Sequence, residues 1–295
     1  MGKLRFRKYG QLYLMAVPTI IYFLVFSVYP IIQGLYTSTQ KPRLLGGGVY
    51  VGLANYREVL KDRTFWQALN NTLILSGGMI ALGVVIPFIV AIALHELPFP
   101  PLRKLTQTVI YTPHLFSWVV VAGIWIQVLS PDRGLVNELV KLFGGKPIHF
   151  LADTRWIRPM IILLNSWKST GYNAVIYYAA LSSLDPQIYE AATVDGATRW
   201  QKITKLTIPL LMPTVGVVFM LSAVGALRIF DQVFVLRNVA TTRTINVLMT
   251  YVYDLGMVQF RLGHATAASF LVAAVGILTI GFLRRSMRVD QTDMA

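Results

Sequence analysis

The side chains able to carry chemistry are few, and their spacing sets several reactions aside. The chain has 295 residues, and its four histidines, His95, His114, His149 and His264, are too dispersed to make a metal-binding motif. No H-E-x-x-H pair and no G-x-S-x-G turn occurs, so zinc-protease and serine-hydrolase chemistry have no support. There is no cysteine, which excludes disulfides, thiolate metal sites and thiol catalysis. The one D-x-x-D spacing, Asp290 and Asp293, falls in the C-terminal tail. "GGKP" at residues 144–147 lacks the glycine spacing and the hydroxyl residue of a phosphate-binding loop. What remains suits binding. Lys168 and Arg228 are cations inside apolar runs, where a charge is costly and usually faces a cavity or a partner. Asn165, Trp167, Tyr172 and Asn173 surround Lys168 in sequence, and amides with aromatic faces match the hydroxyls and apolar ring faces of a sugar. If both cations face one cavity, their charge suits an anionic sugar. The competing reading has Lys168 pairing within the fold, Trp167 and Tyr172 packing, and Arg228 pairing with Asp231 one helical turn on.

A second cluster lies at residues 190–213, "EAATVDGATRWQKITKLTIPLLMP", a polar stretch between apolar runs. Asp185 can cap a helix whose first position is Pro186, where a missing N–H costs nothing. That helix runs through Tyr189, Glu190, Ala191 and Ala192 to Gly196, which suits a left-handed terminating turn. A second helix then starts near Ala197, with Trp200, Ile203 and Leu206 on one stripe and Arg199, Lys202 and Lys205 towards water or headgroups. Asp195 and Arg199 fit either an exposed local ion pair worth about 1 kcal/mol or less, or a contact to a partner. Pro209 and Pro213 mark the return to the membrane. The element is a plain interfacial linker or, through small Ala191 and Ala192 beside Glu190, a surface for another protein's groove.

These residues must be held by membrane-spanning elements. Of all residues 55% are hydrophobic and 14% charged, against roughly 25% charged in soluble domains. The net charge of +14 is scattered over short connections, which fits anionic headgroups better than nucleic acid. A bilayer core of about 30 Å needs roughly 20 apolar helical residues. Six segments qualify, near residues 12–34, 72–94, 109–129, 157–181, 208–230 and 265–283. The expected fold is therefore all-α and integral to the membrane, one polytopic domain over residues 1–295, with a helix-turn-helix at 185–207 between the fourth and fifth crossings. The first apolar run exceeds a signal-peptide core and reads as a retained anchor. Basic residues at both ends, Lys3, Arg5, Arg7 and Lys8, then Arg284, Arg285 and Arg288, place both termini and the 185–207 element in the cytoplasm. His95 and Glu96 then sit at a cytoplasmic helix end, and Arg158 snorkels at the outer interface. Among the outer connections, Gly46, Gly47 and Gly48 mark a turn. Val247, Leu248, Tyr251, Val252 and Leu255 make one apolar helical face.

Glu190, Ala191 and Ala192, then Asp195, Gly196 and Ala197, then Ile208, Pro209 and Leu210 together resemble the EAA motif of importer-type ABC transporter permeases. "WKSTG" (167–171), "LSSLDPQIY" (181–189), "FDQVFVL" (230–236) and "TYVY" (250–253) are similar to the carbohydrate-uptake branch of that family. The likeness is clearest from Trp167 to about Ala268. "RNVATT" (237–242) departs from the G-G-P of many sugar permeases; with "PHLFSWVVVAG" (113–123) it looks more like the subgroup that takes up oligosaccharides and polysaccharide fragments. The resemblance implies a prokaryotic plasma-membrane subunit that pairs with a second, homologous permease and sits on two ATPase subunits. It also implies an extracytoplasmic solute-binding protein that delivers the sugar. In that reading Glu190, Ala191, Ala192, Asp195, Gly196 and Arg199 dock on the ATPase, and ATP and magnesium are used by the partners, with no cofactor held by this chain. Two other classes compete. A secondary transporter would show inverted repeats and membrane carboxylates, and the six segments hold no acidic residue. An enzyme of lipid-linked sugars would need a carboxylate-rich metal site, and only 13 acidic residues are present.

Overall fold

Long apolar runs punctuated by proline and glycine become long helices joined by short, capped ones. The computed structural model describes residues 6–42, 47–226 and 228–292. Lys3, Arg5, Gly46 and Asp293, used above for the termini, a turn and an acidic pair, lie outside the described residues. In chain order the helices are α1 (Phe6–Phe23), α2 (Tyr29–Ser38), α3 (Ala54–Lys61), α4 (Arg63–His95), α5 (Pro100–Leu115), α6 (Trp118–Val128) and α7 (Leu135–Leu142). They continue as α8 (Ile157–Ser182), α9 (Pro186–Val194), α10 (Arg199–Lys202), α11 (Ile208–Ala226), α12 (Asp231–Leu236), α13 (Thr242–Ile245), α14 (Leu248–Tyr253) and α15 (Leu262–Thr292). Wide π-helical turns at Leu24–Val28, Ile203–Thr207 and Asp254–Val258 join α1 to α2, join α10 to α11, and follow α14.

The chain divides into two compact units, residues 1–63 with 252–274, and residues 64–251 with 275–295. In the first, strands β1 (Gln40–Pro42) and β2 (Gly48–Tyr50) pair antiparallel, with Gln40 opposite Tyr50. Gly47 takes φ +71 just before β2, as the expected turn requires. The amide of buried Asn55 donates to the carbonyls of Ser38 and Gln40, both at 2.8 Å, and ties α3 to this hairpin. Among the described residues of the second unit, apolar side chains gather in two cores. One gathers Leu75, Ile161, Leu164, Val233 and Ile245; the other gathers Ala91, Tyr177, Leu181, Leu211 and Val218. Val247, Leu248, Tyr251 and Leu255 of the expected apolar face are buried.

Among the described residues, four helical stretches are long and apolar enough to cross a membrane alone: Leu14–Ser38, Arg63–His95, Arg199–Gly225 and Leu262–Thr279. Two expected crossings, the third and the fifth, take a different form, while the fourth keeps its expected bounds as α8. The third, 109–129, is not straight: α5 and α6 meet at a bend of 104°, and the pair makes a fifth crossing only if counted together. Pro113, in the last turn of α5, has no N–H to continue the ladder, and Ser117 adopts extended backbone and caps α6 by accepting from the Val120 N–H. The fourth, α8, has 26 residues, enough to span, but its polar run from Asn165 to Asn173 keeps it below the others in hydropathy. The fifth ends at Ala226, short of Phe230, and Asp231 opens α12. At its start it is unbroken, because α10 passes through the π-helical turn into α11 as one helical stretch.

Arg158 is anchored within the fold. Its guanidinium donates to the Thr244 carbonyl (3.0 Å) and to Asn71 Oδ1 (2.7 Å), and Asn71 donates in turn to the carbonyls of Arg243 and Asn246. The charge on α8 thus fastens the start of that helix to α4 and to the segment around α13.

Candidate functional site

Proline placement in α4 begins the site. Pro87 lies inside α4 and has no N–H for the carbonyl of Gly83, four residues back. Asn173 on α8 supplies the missing donor, its Nδ2 lying 2.8 Å from the Gly83 oxygen. A side-chain amide therefore replaces a helix hydrogen bond and fixes α8 against α4. Beside this contact opens a cavity of about 280 Å³, lined by residues of α4, α8, the end of α11 and the start of α12. It brings together five of the seven sequence candidates for a substrate path: Asn165, Tyr172, Asn173, Arg228 and Asp231. Ser169, Ser222 and Gln232 add hydroxyl and amide groups that the sequence reading missed. Gln232 Nε2 reaches Asn165 Oδ1 at 3.5 Å, so the two amides are oriented as a pair. Arg228 and Asp231 both line the cavity, but among the described residues neither forms an ion pair, so the local bridge of the competing reading is absent.

The other two candidates lie elsewhere. Lys168 Nζ donates to the His114 carbonyl at 2.9 Å and stands 5.7 Å from the centre of the Trp118 ring. That carbonyl is one of the orphan acceptors at the C-terminal end of α5, where a cation is favourable. Lys168 thus caps the broken helix. Tyr172 reinforces the grip by stacking on the His114 ring, centroids 4.8 Å apart. Trp167 lines a second, apolar cavity of about 610 Å³ and meets Trp125 edge to face. Gly171 explains how closely α5 and α8 pack: a Cβ there would lie 2.4 Å from the Ile110 carbonyl oxygen.

The 185–207 element forms as its local chemistry dictates. Asp185 accepts from the Gln187 N–H at 2.9 Å, with Pro186 in the first position of α9. At the other end Gly196 takes φ +78, its N–H donates to Thr193, and the Ala197 N–H donates to Ala192. Those two bonds are the paired closure of a helix by a left-handed glycine. Thr198 and Gln201 then cap α10 reciprocally. Glu190 is exposed and faces a cleft of about 270 Å³ with Glu96, Tyr189, Thr193, Arg199 and Lys202. Arg199 does not pair with Asp195. It reaches Glu96 instead, Nε onto the carboxylate and Nη2 onto the backbone carbonyl at 2.8 Å. Ala191 and Ala192 lie between Glu190 and the turn; Trp200, expected on an apolar stripe, is 72% exposed.

Residues 83–288, which include every cavity-lining residue except Met79 and Ile80 and the whole elbow, match the family described as the binding-protein-dependent transport system inner membrane component. The chain belongs to this family. It is a membrane permease. A polygalacturonan/rhamnogalacturonan transport permease of Bacillus subtilis is 35% identical over 93% of this chain and 86% of its own. An arabinooligosaccharide transport permease of the same organism is 30% identical over 92% and 86%. In the crystal structure of a bacterial alginate ABC transporter with a pentasaccharide-bound periplasmic protein, one chain superposes with a TM-score of 0.88 at 35% identity, covering 96% of each. Among the described residues no group of three or more histidines and carboxylates could hold a metal ion.

Proposed function

We propose that this permease is one of two membrane subunits of an ATP-driven importer that moves an oligosaccharide into the cytoplasm by alternating access. The observation that carries the reading is the polar cavity of about 280 Å³. Its amides, hydroxyls, two aromatic rings, one guanidinium and one carboxylate match a polyhydroxylated ligand. Asn165, Tyr172, Asn173, Arg228 and Asp231 contact the sugar in this reading, while Trp167 lines the separate apolar cavity and Lys168 caps α5. The names of the relatives support it, since they are transport proteins for polygalacturonan/rhamnogalacturonan, arabinooligosaccharides and the acidic polysaccharide alginate. Arg228, unpaired among the described residues, favours a uronate-bearing oligosaccharide over a neutral one.

The remaining parts follow the same plan. The chain crosses the plasma membrane six times, with the α5–α6 pair and α8 completing the count, and keeps both termini in the cytoplasm. The elbow at 185–207 faces the cytoplasm, and Glu190, Ala191, Ala192, Asp195, Gly196 and Arg199 dock on an ATPase subunit. Two such ATPases bind ATP with magnesium, a homologous permease supplies the other half of the path, and an extracytoplasmic binding protein delivers the sugar. Uptake by the reconstituted complex tests the substrate reading with an oligogalacturonide and a neutral arabinooligosaccharide of equal length. The acidic sugar is expected to be preferred, and Arg228→Met to narrow that preference. Equal uptake of both sugars before and after the substitution would remove it.

A further inference from the structure

The Glu96–Arg199 contact joins two places that differ in kind. Glu96 lies one residue beyond α4, yet its N–H still donates to the Ile92 carbonyl at 3.0 Å, so it moves with the last turn of that helix. Arg199 opens α10 immediately after the reciprocal Thr198–Gln201 cap. Two guanidinium nitrogens converge on one residue 103 positions away, one on the carboxylate and one on the carbonyl. That carbonyl belongs to the orphan acceptors at the end of α4, so Arg199 also caps that helix.

The elbow is fastened within itself. Besides the glycine closure, Lys202 Nζ donates to Thr193 Oγ1 at 2.6 Å, and the hydroxyls of Tyr189 and Thr207 lie 3.0 Å apart. Among the described residues, no other ion pair or side-chain hydrogen bond leaves the elbow for a different part of the chain. Along α4, Gly83 lies about 20 Å from Glu96 at the helical rise. There its carbonyl holds Asn173 at the rim of the polar cavity.

We propose that the Glu96–Arg199 clasp is the joint through which displacement of the elbow is passed to α4 and so to the cavity, which makes both of them positioning residues for transport. The inference rests on the elbow being the ATPase dock. A body fastened within itself and attached to a helix end by two converging bonds pulls that helix along as a unit, which is how rigid-body rearrangements propagate.

The test uses the complete importer with its binding protein in proteoliposomes, reading ATPase co-purification, ATP hydrolysis and sugar moved per ATP. Glu96→Ala removes the carboxylate but leaves the backbone acceptor and every elbow residue. It is expected to keep the ATPase bound while sugar moved per ATP falls about tenfold, within the usual range of coupling between linked sites. Arg199→Met removes both bonds and should lose more. The double variant should lose no more than Arg199→Met alone, because the two side chains act as one device. Unchanged transport per ATP in Glu96→Ala, loss of ATPase association in that variant, or multiplied losses in the double variant would each overturn the proposal. Failure of the wild-type chain to retain any ATPase would instead refute the docking reading on which it rests.

Discussion

Asn173→Leu in α8, combined with Pro87→Ala in α4, isolates the hydrogen bond on which the cavity wall depends. In the wild-type chain Gly83 has a carbonyl that Pro87 cannot serve, and Asn173 Nδ2 serves it at 2.8 Å. Leucine at position 173 keeps similar bulk and abandons that acceptor. An unsatisfied buried acceptor costs about 1–3 kcal/mol, although cycles between membrane helices average about 0.6 and reach about 1.7 kcal/mol. A loss of about 1 kcal/mol is therefore expected from Asn173→Leu alone. Alanine at position 87 restores an N–H to the helix ladder and gives the Gly83 carbonyl a partner within α4. In that background Asn173→Leu should be nearly neutral for stability. The assay is a double-mutant cycle on the purified complex, following thermal unfolding in detergent for the four chains. A coupling energy near zero, with Asn173→Leu costing the same in both backgrounds, would refute the account. Transport adds a second reading: a wall loosened by Asn173→Leu should transport poorly, and Pro87→Ala should restore part of the activity only if wall position matters more than a direct amide–sugar contact.

Other tests follow from the same geometry. Gly171→Val places a branched side chain where a Cβ already lies 2.4 Å from the Ile110 oxygen, so α5 and α8 must separate at a cost of about 1–3 kcal/mol. Gly77→Ala, whose Cβ meets nothing within 4 Å, should leave the thermal midpoint unchanged or raise it. Outside the spanning segments, the bond from His264 holds the Glu58 carboxyl below its usual range, with their atoms 2.6 Å apart. Because the folded value is depressed, this stabilisation is present above the unfolded value of about 4.3 and is lost as pH falls through the lower folded one. Glu58 is 60% exposed, so the effect is small. Glu58→Gln should flatten the dependence of the thermal midpoint on pH below that value and leave pH 7 behaviour nearly intact.

The helix ends of the elbow were legible in the sequence because the groups that cap them are local. Asp185, Pro186, Gly196 and the Thr198–Gln201 pair each act within four residues of their partner. The partner of Arg199 was not legible, since Glu96 is 103 positions away and Asp195 offered a nearer carboxylate. Lys168 stood out correctly as an anomalous charge, but its acceptor is a backbone carbonyl 54 positions away that exists only because α5 breaks. Pro113 and Ser117 carried the signal of that break, a missing donor followed by a capping residue, while the apolar run over 109–129 masked it. The end of α11 was hidden similarly, because Ile229 and Phe230 continue the apolar run after the helix has stopped.

The widened turn at Ile203–Thr207 has a consequence for torsion. Each ring there closes over one more residue than in the helix on either side, so losing the surplus would advance the register by a single residue. A one-residue advance in an α-helix is a rotation of about 100°. The stretch Arg199–Gly225 therefore sets its polar tip and its apolar shaft about one residue out of ordinary helical register, at the place where Pro209 has already relieved the backbone of one bond.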